Sequence, residues 1–186
     1  MWGNWRDSYI HGTLVIWPPD DVRAVVNSLR ERCDRVSASI SEAHITMTQP
    51  FVRKPSDAEL AVIDDVVSRY EPLEIEFGPH GTFLPYPCLF FTVEPVGPLT
   101  ALHDALQVTE LFQLAPSHHE RFVPDMSILE GTLDSGEIVR LADELRETAP
   151  TGSFACRENV HVVPDASFRF SVARRFRIGT ELPLSS

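Results

Sequence analysis

The spacing of apolar positions changes along the chain in the way that strands and helices require. Residues 10–17 are rich in Ile, Leu, Val, Thr and Trp and end at Pro18-Pro19, which predicts a strand. Asp20 and Asp21 suit the first turn of a helix that we predict over residues 20–33. Its inner side is predicted to carry Val22, Val25, Val26, Leu29 and Cys33, and its outer side Arg23, Arg30, Glu31 and Arg32.

The rest of the chain follows the same two spacings. Ser56 and Glu59 form a capping-box pattern, and Pro72 ends the helix that it opens. Gly and Pro residues at 78–81 and 85–87 predict turns. We predict further helices at about 56–70, 99–109 and 134–147, and strands at about 43–48, 73–77, 88–93, 121–129, 154–163 and 168–178. These elements predict an α+β fold whose order of elements repeats, with the duplication near residue 95.

A histidine and a hydroxyl share one face of the predicted strand at residues 43–48. Side chains alternate along a strand, so His44 and Thr46 lie on one side while Ile45 and Met47 face the core. Asp125-Met126-Ser127 stands at the matching place in the second half. The pattern fits chemistry in a cleft, and it equally fits a half-buried strand whose polar face meets water.

Composition limits the classes of function. With 186 residues and 43% hydrophobic content, the chain is long enough to bury a core. It has no apolar run of membrane-spanning length and no signal-peptide layout, so we expect a cytoplasmic protein. A net charge of -11 argues against binding long nucleic acid, whereas a small phosphorylated ligand fits a locally positive pocket.

Metal and disulfide chemistry find little support. Cys33, Cys88 and Cys156 are odd in number and widely spaced, which argues against a disulfide framework. One His and one Asp across a cleft supply two ligands, fewer than the three of a catalytic zinc site. We therefore expect no metal and no cofactor.

Several segments together resemble the two-histidine phosphoesterase superfamily, the 2′-5′ RNA ligase-like proteins. Leu14-Val15-Ile16-Trp17-Pro18 and Ala43-His44-Ile45-Thr46 with Pro50-Phe51 are similar to the family's first lobe. Residues 89–93 with Leu99, and residues 168–179, are similar to its central and closing strands. The resemblance implies one bilobal domain over residues 1–186, with two pseudosymmetric lobes, each a small, mostly antiparallel sheet with helices outside, around a central cleft.

The resemblance also implies the chemistry. The family's two histidines divide the proton transfers of phosphodiester cleavage or transesterification, and the paired hydroxyls hold the phosphate, which here assigns His44, Thr46 and Ser127. The second histidine is absent, because Asp125 follows Pro124. As an acid at pH 7, Asp125 needs a pKa raised by about three units, on the order of 4 kcal/mol. As a base it needs no shift, but its charge repels a phosphodiester.

Further polar residues are open to two interpretations. Arg121 and Arg169 are candidate phosphate ligands, although the Arg-rich segment 169–177 fits salt bridges equally well. An extended chain puts His119 about 20 Å from Asp125, so it is a poor replacement for the missing histidine. The sequence does not decide the roles of His11, His118, His119 and His161, although His161 has the pattern of a structural residue.

We therefore expect hydrolysis or transesterification of a small phosphodiester, a cyclic nucleotide or an RNA end by a monomer. The alternatives are a catalytically inactive protein that binds a nucleotide or RNA end, and a repurposed enzyme that uses His44 and Asp125. We expect these two residues on the central strands of two opposed sheets, across one cleft. The helices at 20–33 and 56–70 are expected to cover one lobe, and those at 99–109 and 134–147 the other.

Overall fold

The computed structural model describes residues 5–114, 121–131 and 133–179. These residues form six helices and eight strands. The helices are α1 (Trp5–Ser8), α2 (Asp20–Cys33), α3 (Arg35–Ile40), α4 (Asp57–Ser68), α5 (Val96–Gln107) and α6 (Ser135–Leu145). The strands are β1 (Thr13–Ile16), β2 (Ile45–Thr46), β3 (Leu73–Thr82), β4 (Cys88–Glu94), β5 (Asp125–Glu130), β6 (Gly152–Cys156), β7 (Glu158–Pro164) and β8 (Phe170–Arg177).

The strands form two four-stranded antiparallel sheets, which confirms the α+β prediction. The first sheet has the order β2-β1-β7-β8 and the second the order β5-β4-β3-β6. Each sheet takes strands from both halves of the sequence, because β7 pairs with β1 while β6 pairs with β3. The two sheets are therefore interleaved along the chain.

Local sequence signals account for the helix starts. Ser56 and Glu59 form the predicted capping box of α4, and Asp134 and Glu137 form a second one at α6. The structure adds α3, where the polar sequence predicts a loop. Asp34 caps α3 by accepting a hydrogen bond from the Ser37 N–H at 3.0 Å, so this short helix depends on its cap rather than on an apolar face.

Two predicted boundaries are wrong. The strand predicted over 154–163 is divided at Arg157 into β6 and β7, which belong to different sheets. The turn predicted at 78–81 lies inside β3, which continues to Thr82 past a register shift between Phe77 and His80. Gly78 lies within that shift and has a φ of +92°, which glycine adopts without strain. This glycine therefore accommodates a β-bulge and does not end the strand.

Both sheets bury one face in a common hydrophobic core. From β1 the core receives Leu14 and Ile16, from β4 Leu89 and Phe91, and from β5 Met126 and Ile128. Val15, between the first two, instead joins a small separate cluster with Val160, Val162, Trp17 and Phe170. Alternation along the strands thus leaves the second face of each sheet outside the main core.

The helices do not divide between the sheets as predicted. As expected, α4 lies against β8 of the first sheet and α6 against β3 and β4 of the second. However, α2 lies against β5 of the second sheet, and α5 lies against α4. Position in the sequence does not determine the sheet that a helix covers, because the strands of the two sheets are interleaved. No helix in the described parts of the chain combines the length and apolar content that a membrane crossing requires.

Candidate functional site

The two strands that carry the predicted motifs meet at the junction of the sheets. β2 is an edge strand of the first sheet, β5 is an edge strand of the second, and the two strands lie against each other. His44 directly precedes β2 and Asp125 is the first residue of β5. The prediction that both residues lie on central strands is therefore wrong, because apolar alternation does not distinguish an edge strand from a central one.

Alternation places the first motif as predicted. Ile45 and Met47 are fully buried in the main core, whereas His44 is half-buried and Thr46 is exposed. Thr46 lies opposite Val15 in the β1–β2 pair, so it borders the small cluster of Val15, Val160 and Val162. The hydroxyl of this motif thus lies at the edge of an apolar surface.

Main-chain and aromatic contacts orient the His44 imidazole. Its Nδ1 lies 2.7 Å from the Glu42 carbonyl oxygen and 3.1 Å from Ser41 Oγ. A carbonyl only accepts, so the proton of the neutral ring is on Nδ1, and Nε2 carries the lone pair. The ring stacks on Trp17 with centroids 6.3 Å apart, and the Arg23 guanidinium lies 5.3 Å from the Trp17 ring centre.

Burial keeps this imidazole neutral. Desolvation lowers the pKa of His44 to about 4, assisted by the positive charge of Arg30 and opposed by the hydrogen bond to Glu42. At neutral pH the ring is therefore uncharged. It has the protonation state and the free Nε2 of a general base.

A β-bulge adds Glu130 to the face of the second motif. Along the β4–β5 pair, Asp125 lies opposite Thr92, Ser127 opposite Phe90 and Glu130 opposite Cys88, with a register shift between Leu89 and Phe90. Opposite residues of an antiparallel pair point to the same side, so the three β5 side chains share one face. Without the extra residue, Glu130 would face the other side, because it is five positions from Asp125.

Asp125 is a half-buried carboxyl that accepts a hydrogen bond from its neighbour in the motif. Ser127 Oγ donates to Asp125 Oδ2 at 2.9 Å. Burial raises the pKa of Asp125 to about 6, with a further increase from Glu130 and an opposing effect of the Ser127 hydrogen bond. Most of the upward shift that an acid role requires is therefore present.

Glu130 connects this face to other parts of the chain. The Tyr86 hydroxyl donates to Glu130 Oε1 at 2.6 Å, and the Glu130 N–H donates to the buried Asp34 at 3.3 Å. Burial and the Glu130 charge raise the pKa of Tyr9 to about 12, because the segment after α1 lies near β5. Burial also raises the pKa of the Cys88 thiol well above its ordinary value, so it is held as a thiol.

The two predicted arginines lie at the surface. Arg121 is exposed, and Arg169 is exposed with its Nε donating to the Ser39 carbonyl of α3 at 3.1 Å. Arg175 forms a 2.7 Å ion pair with Glu158, which bears out the salt-bridge interpretation for that residue. Phosphate binding by Arg121 and Arg169 stays a prediction.

The apolar spacing misplaces two residues of α2. It predicts an outward Arg30 and an inward Val25, whereas Arg30 is 4% exposed and Val25 is 52% exposed. The exchange follows from the position of α2 against β5, with α3 folded beside it. A hydrophobic period cannot identify a buried cation, because its burial depends on carbonyl partners that come later in the chain.

The remaining described histidines make main-chain contacts. His161 Nε2 lies 3.0 Å from the His11 carbonyl oxygen, which supports the structural role expected for His161. His103 Nδ1 lies 2.8 Å from the Met47 carbonyl oxygen, and His80 Nε2 lies 2.8 Å from that of Ala142. His118 and His119 lie outside the described residues. In the described ranges, no three His, Cys, Asp or Glu residues are grouped as a metal site.

Comparison with known proteins identifies the family. The model of the 2′-5′ RNA ligase superfamily matches residues 18–166. E. coli LigT complexed with ATP aligns at 16% identity and a TM-score of 0.60, over 90% of this chain and 96% of that chain. TT0787 of Thermus thermophilus aligns at 15% identity and a TM-score of 0.58, over 91% of this chain and 98% of that chain.

E. coli LigT complexed with 3′-AMP gives 14% identity and a TM-score of 0.58, over 90% of this chain and 97% of that chain. At such identities the structures establish the fold alone. Comparison with curated proteins gives no match. The family model nevertheless covers most of the sequence and confirms the resemblance seen in its motifs. The chain belongs to the 2′-5′ RNA ligase superfamily.

Proposed function

We propose that the protein hydrolyses or transesterifies a small phosphodiester, such as a cyclic nucleotide or an RNA end, with His44 as base and Asp125 as acid. One observation carries this proposal. On adjoining strands, the pKa of His44 is lowered to about 4 and that of Asp125 is raised to about 6. Two groups with pKa values moved in opposite directions are the usual signature of an acid–base pair.

The proton transfers follow from these states. Between about pH 4 and 6, His44 has a lone pair on Nε2 while Asp125 retains its proton. His44 takes the proton of the attacking hydroxyl, from water or a ribose, as the new phosphorus–oxygen bond forms. Asp125 gives its proton to the leaving oxygen as the old bond breaks.

The same protonation states reduce repulsion of the substrate. A protonated Asp125 carries no charge, so the objection that a carboxylate repels a phosphodiester applies only above its pKa. The hydroxyls of Thr46 and Ser127 are the proposed phosphate contacts. The buried charge of Arg30 lies within electrostatic range of His44 and adds positive potential to an acidic protein.

The ligands of the LigT structures agree with this substrate class. LigT structures contain 3′-AMP, ATP, NADP+ or phosphate. These molecules all present phosphate groups, and three of them are nucleotides. We propose a nucleotide-like phosphodiester for the present protein.

The test is a panel of 2′,3′-cyclic and 2′-5′-linked substrates assayed from pH 3.5 to 8. We expect a bell-shaped kcat/KM profile with its acid limb near pH 4 and its alkaline limb near pH 6. The alkaline limb should disappear in Asp125→Asn. Turnover whose pH profile is flat across this range, or unchanged by that variant, would refute the assignment.

A second candidate is the binding protein considered from the sequence. The absence of the family's second histidine favours it, because Asp125 follows Pro124 at that place. A binding protein would bind a nucleotide with micromolar affinity and would turn over no member of the panel. The bound nucleotide would protect His44 from chemical modification.

A further inference from the structure

Arg30 is a buried cation whose hydrogen bonds, among the described residues, go to main-chain carbonyls and an amide oxygen. Its side chain is 4% exposed, and buried charges are usually paired with an opposite charge. Among the described residues, none of the ion pairs involves Arg30. Its Nε has no hydrogen-bond partner there either. A carboxylate ion pair therefore does not explain why a charge is retained at this position.

The guanidinium instead binds main-chain carbonyls before His44. Arg30 Nη1 donates to the Ser41 carbonyl at 2.6 Å, and Nη2 lies 3.4 Å from the Ser37 carbonyl in α3. Nη1 also lies 3.3 Å from Asn27 Oδ1, one turn earlier on α2. The same Asn27 oxygen accepts from the Ala43 N–H at 2.7 Å.

These contacts lie on both sides of Glu42, whose carbonyl orients the His44 imidazole. Arg30 holds Ser41 and Asn27 holds Ala43, the two neighbours of Glu42 in the chain. The Glu42 carbonyl accepts the His44 Nδ1 proton. Two side chains of α2 thus fix the peptide whose carbonyl determines which imidazole nitrogen is protonated.

We infer that Arg30 is a positioning residue for His44: by binding the Ser37 and Ser41 carbonyls, it fixes the Glu42 carbonyl and leaves His44 Nε2 unprotonated for the reaction. The effect on rate rests on the proposed function, whereas the effect on the imidazole does not. An arginine suits this task because its planar fork reaches several acceptors at once, which an ammonium does not.

The electrostatics agree with the geometry. The Arg30 charge contributes to the lowered pKa of His44, and burial lowers the pKa of Arg30 itself against the opposing charges of Asp34, Glu130 and Glu42. The other titratable groups near Glu130 are Tyr9, Tyr86, Cys88 and Asp125. Arg30 therefore supplies positive charge near the imidazole, in surroundings that also hold the carboxylates of Asp34, Glu130 and Glu42.

The test observes the His44 ring directly, by NMR titration and by the nitrogen shifts that report its tautomer. The variants are Arg30→Met, which removes the charge and the donors, and Arg30→Lys, which keeps the charge but loses the fork. Arg69→Met is the matched control, since Arg69 is an exposed arginine paired with Asp65 on α4.

In Arg30→Met, we expect the Nε2-protonated tautomer of His44 to appear, because the Glu42 carbonyl is no longer fixed. The tautomer is the deciding readout, since loss of the Arg30 charge raises the pKa of His44 while a weakened Glu42 hydrogen bond lowers it. We expect kcat to fall about tenfold with little change in KM. Arg30→Lys keeps the charge but should also mix the tautomers, because the ammonium lacks the planar fork. Arg69→Met should alter neither.

A folded Arg30→Met protein with an unchanged tautomer of His44 would overturn the inference, even if its stability were lower. If Arg30→Met does not fold, Arg30→Lys decides the question, and an unchanged tautomer in that variant overturns the inference as well. Absence of turnover in the wild type would contradict the proposed function alone, because the NMR measurements do not require a substrate.

Discussion

The His44 half and the Asp125 half of the site are built alike but respond to burial in opposite ways. Both motifs belong to an edge strand and pair a titratable residue with a hydroxyl two positions later. In each, desolvation is the largest cause of the pKa shift. Burial disfavours whichever form is charged, which is the acid form of His44 and the base form of Asp125.

This comparison shows how an aspartate can stand where a histidine is expected. The same desolvation that removes a proton from the imidazole retains one on the carboxyl. Under the proposed function, the pair then provides one base and one acid without requiring different surroundings for each residue. Substitution of His by Asp at position 125 need not abolish the division of proton transfers, provided that the working pH lies below about 6.

The largest effect is expected from His44→Ala, which removes the proposed base. Phosphodiester turnover at pH 5 should fall by at least about a hundredfold, the usual scale of general acid–base catalysis. The matched control is His11→Ala, because His11 accepts from His161 through its main-chain carbonyl, which the variant keeps. A loss of activity in both variants, or in neither, would contradict the role assigned to His44.

Asp125→Asn should reduce turnover at pH 5 by about thirtyfold, less than removal of the base, because the amide can still donate a hydrogen bond to the leaving oxygen. Asp125→His should restore a proton donor and move the alkaline limb upward, toward the titration of an imidazole. The measurement is kcat/KM against pH for the three proteins. An inert wild type that Asp125→His activates would instead identify a binding protein that has lost its chemistry.

Asp125→Asn should lower turnover but raise stability at neutral pH. The folded-state pKa of Asp125 is raised, so the wild type loses stability as the pH rises from about 4 to about 6 and the carboxyl ionises in a buried place. At pH 7.5, Asn should therefore raise the free energy of unfolding by about 2 kcal/mol. Urea denaturation at pH 7.5 and pH 3.5 checks this, and a gain that persists at pH 3.5 would refute the electrostatic explanation.

The smallest effect is expected from Thr46→Val, which deletes the hydroxyl while nearly keeping the volume. Loss of one hydrogen bond to a charged phosphate should raise KM about tenfold with kcat changed less. Thr109→Val is a control of the same chemistry, since its hydroxyl donates to the Leu106 carbonyl at the end of α5. A fall in kcat without a change in KM would assign Thr46 to the chemical step.

Local sequence signals predict part of this site. The period-two pattern around Ile45 puts His44 and Thr46 on one face, and the capping boxes at Ser56 and Asp134 locate two helices. All of these interactions lie within four residues of each other, so the sequence alone determines them.

Interactions between distant segments account for what the sequence does not reveal. The bulge that turns Glu130 toward Asp125 depends on pairing with β4, about 40 residues away along the chain. The burial of Arg30 depends on α3, a helix held by the Asp34 cap. Desolvation of His44 and Asp125 requires both sheets, so neither pKa shift can be derived from a motif.

The interleaved strand order has a consequence for biogenesis. β1 needs β7 as its neighbour, roughly 145 residues later, and β3 needs β6. A nascent chain that has exposed only its first 95 residues lacks one of the two partners of β1, and a fragment beginning there lacks β1, β2, β3 and β4. Severing the protein near residue 95 would thus give two pieces that each lack strands of both sheets. Such long-range closure favours slow, late folding, in which the surroundings of His44 are completed only after synthesis is nearly finished.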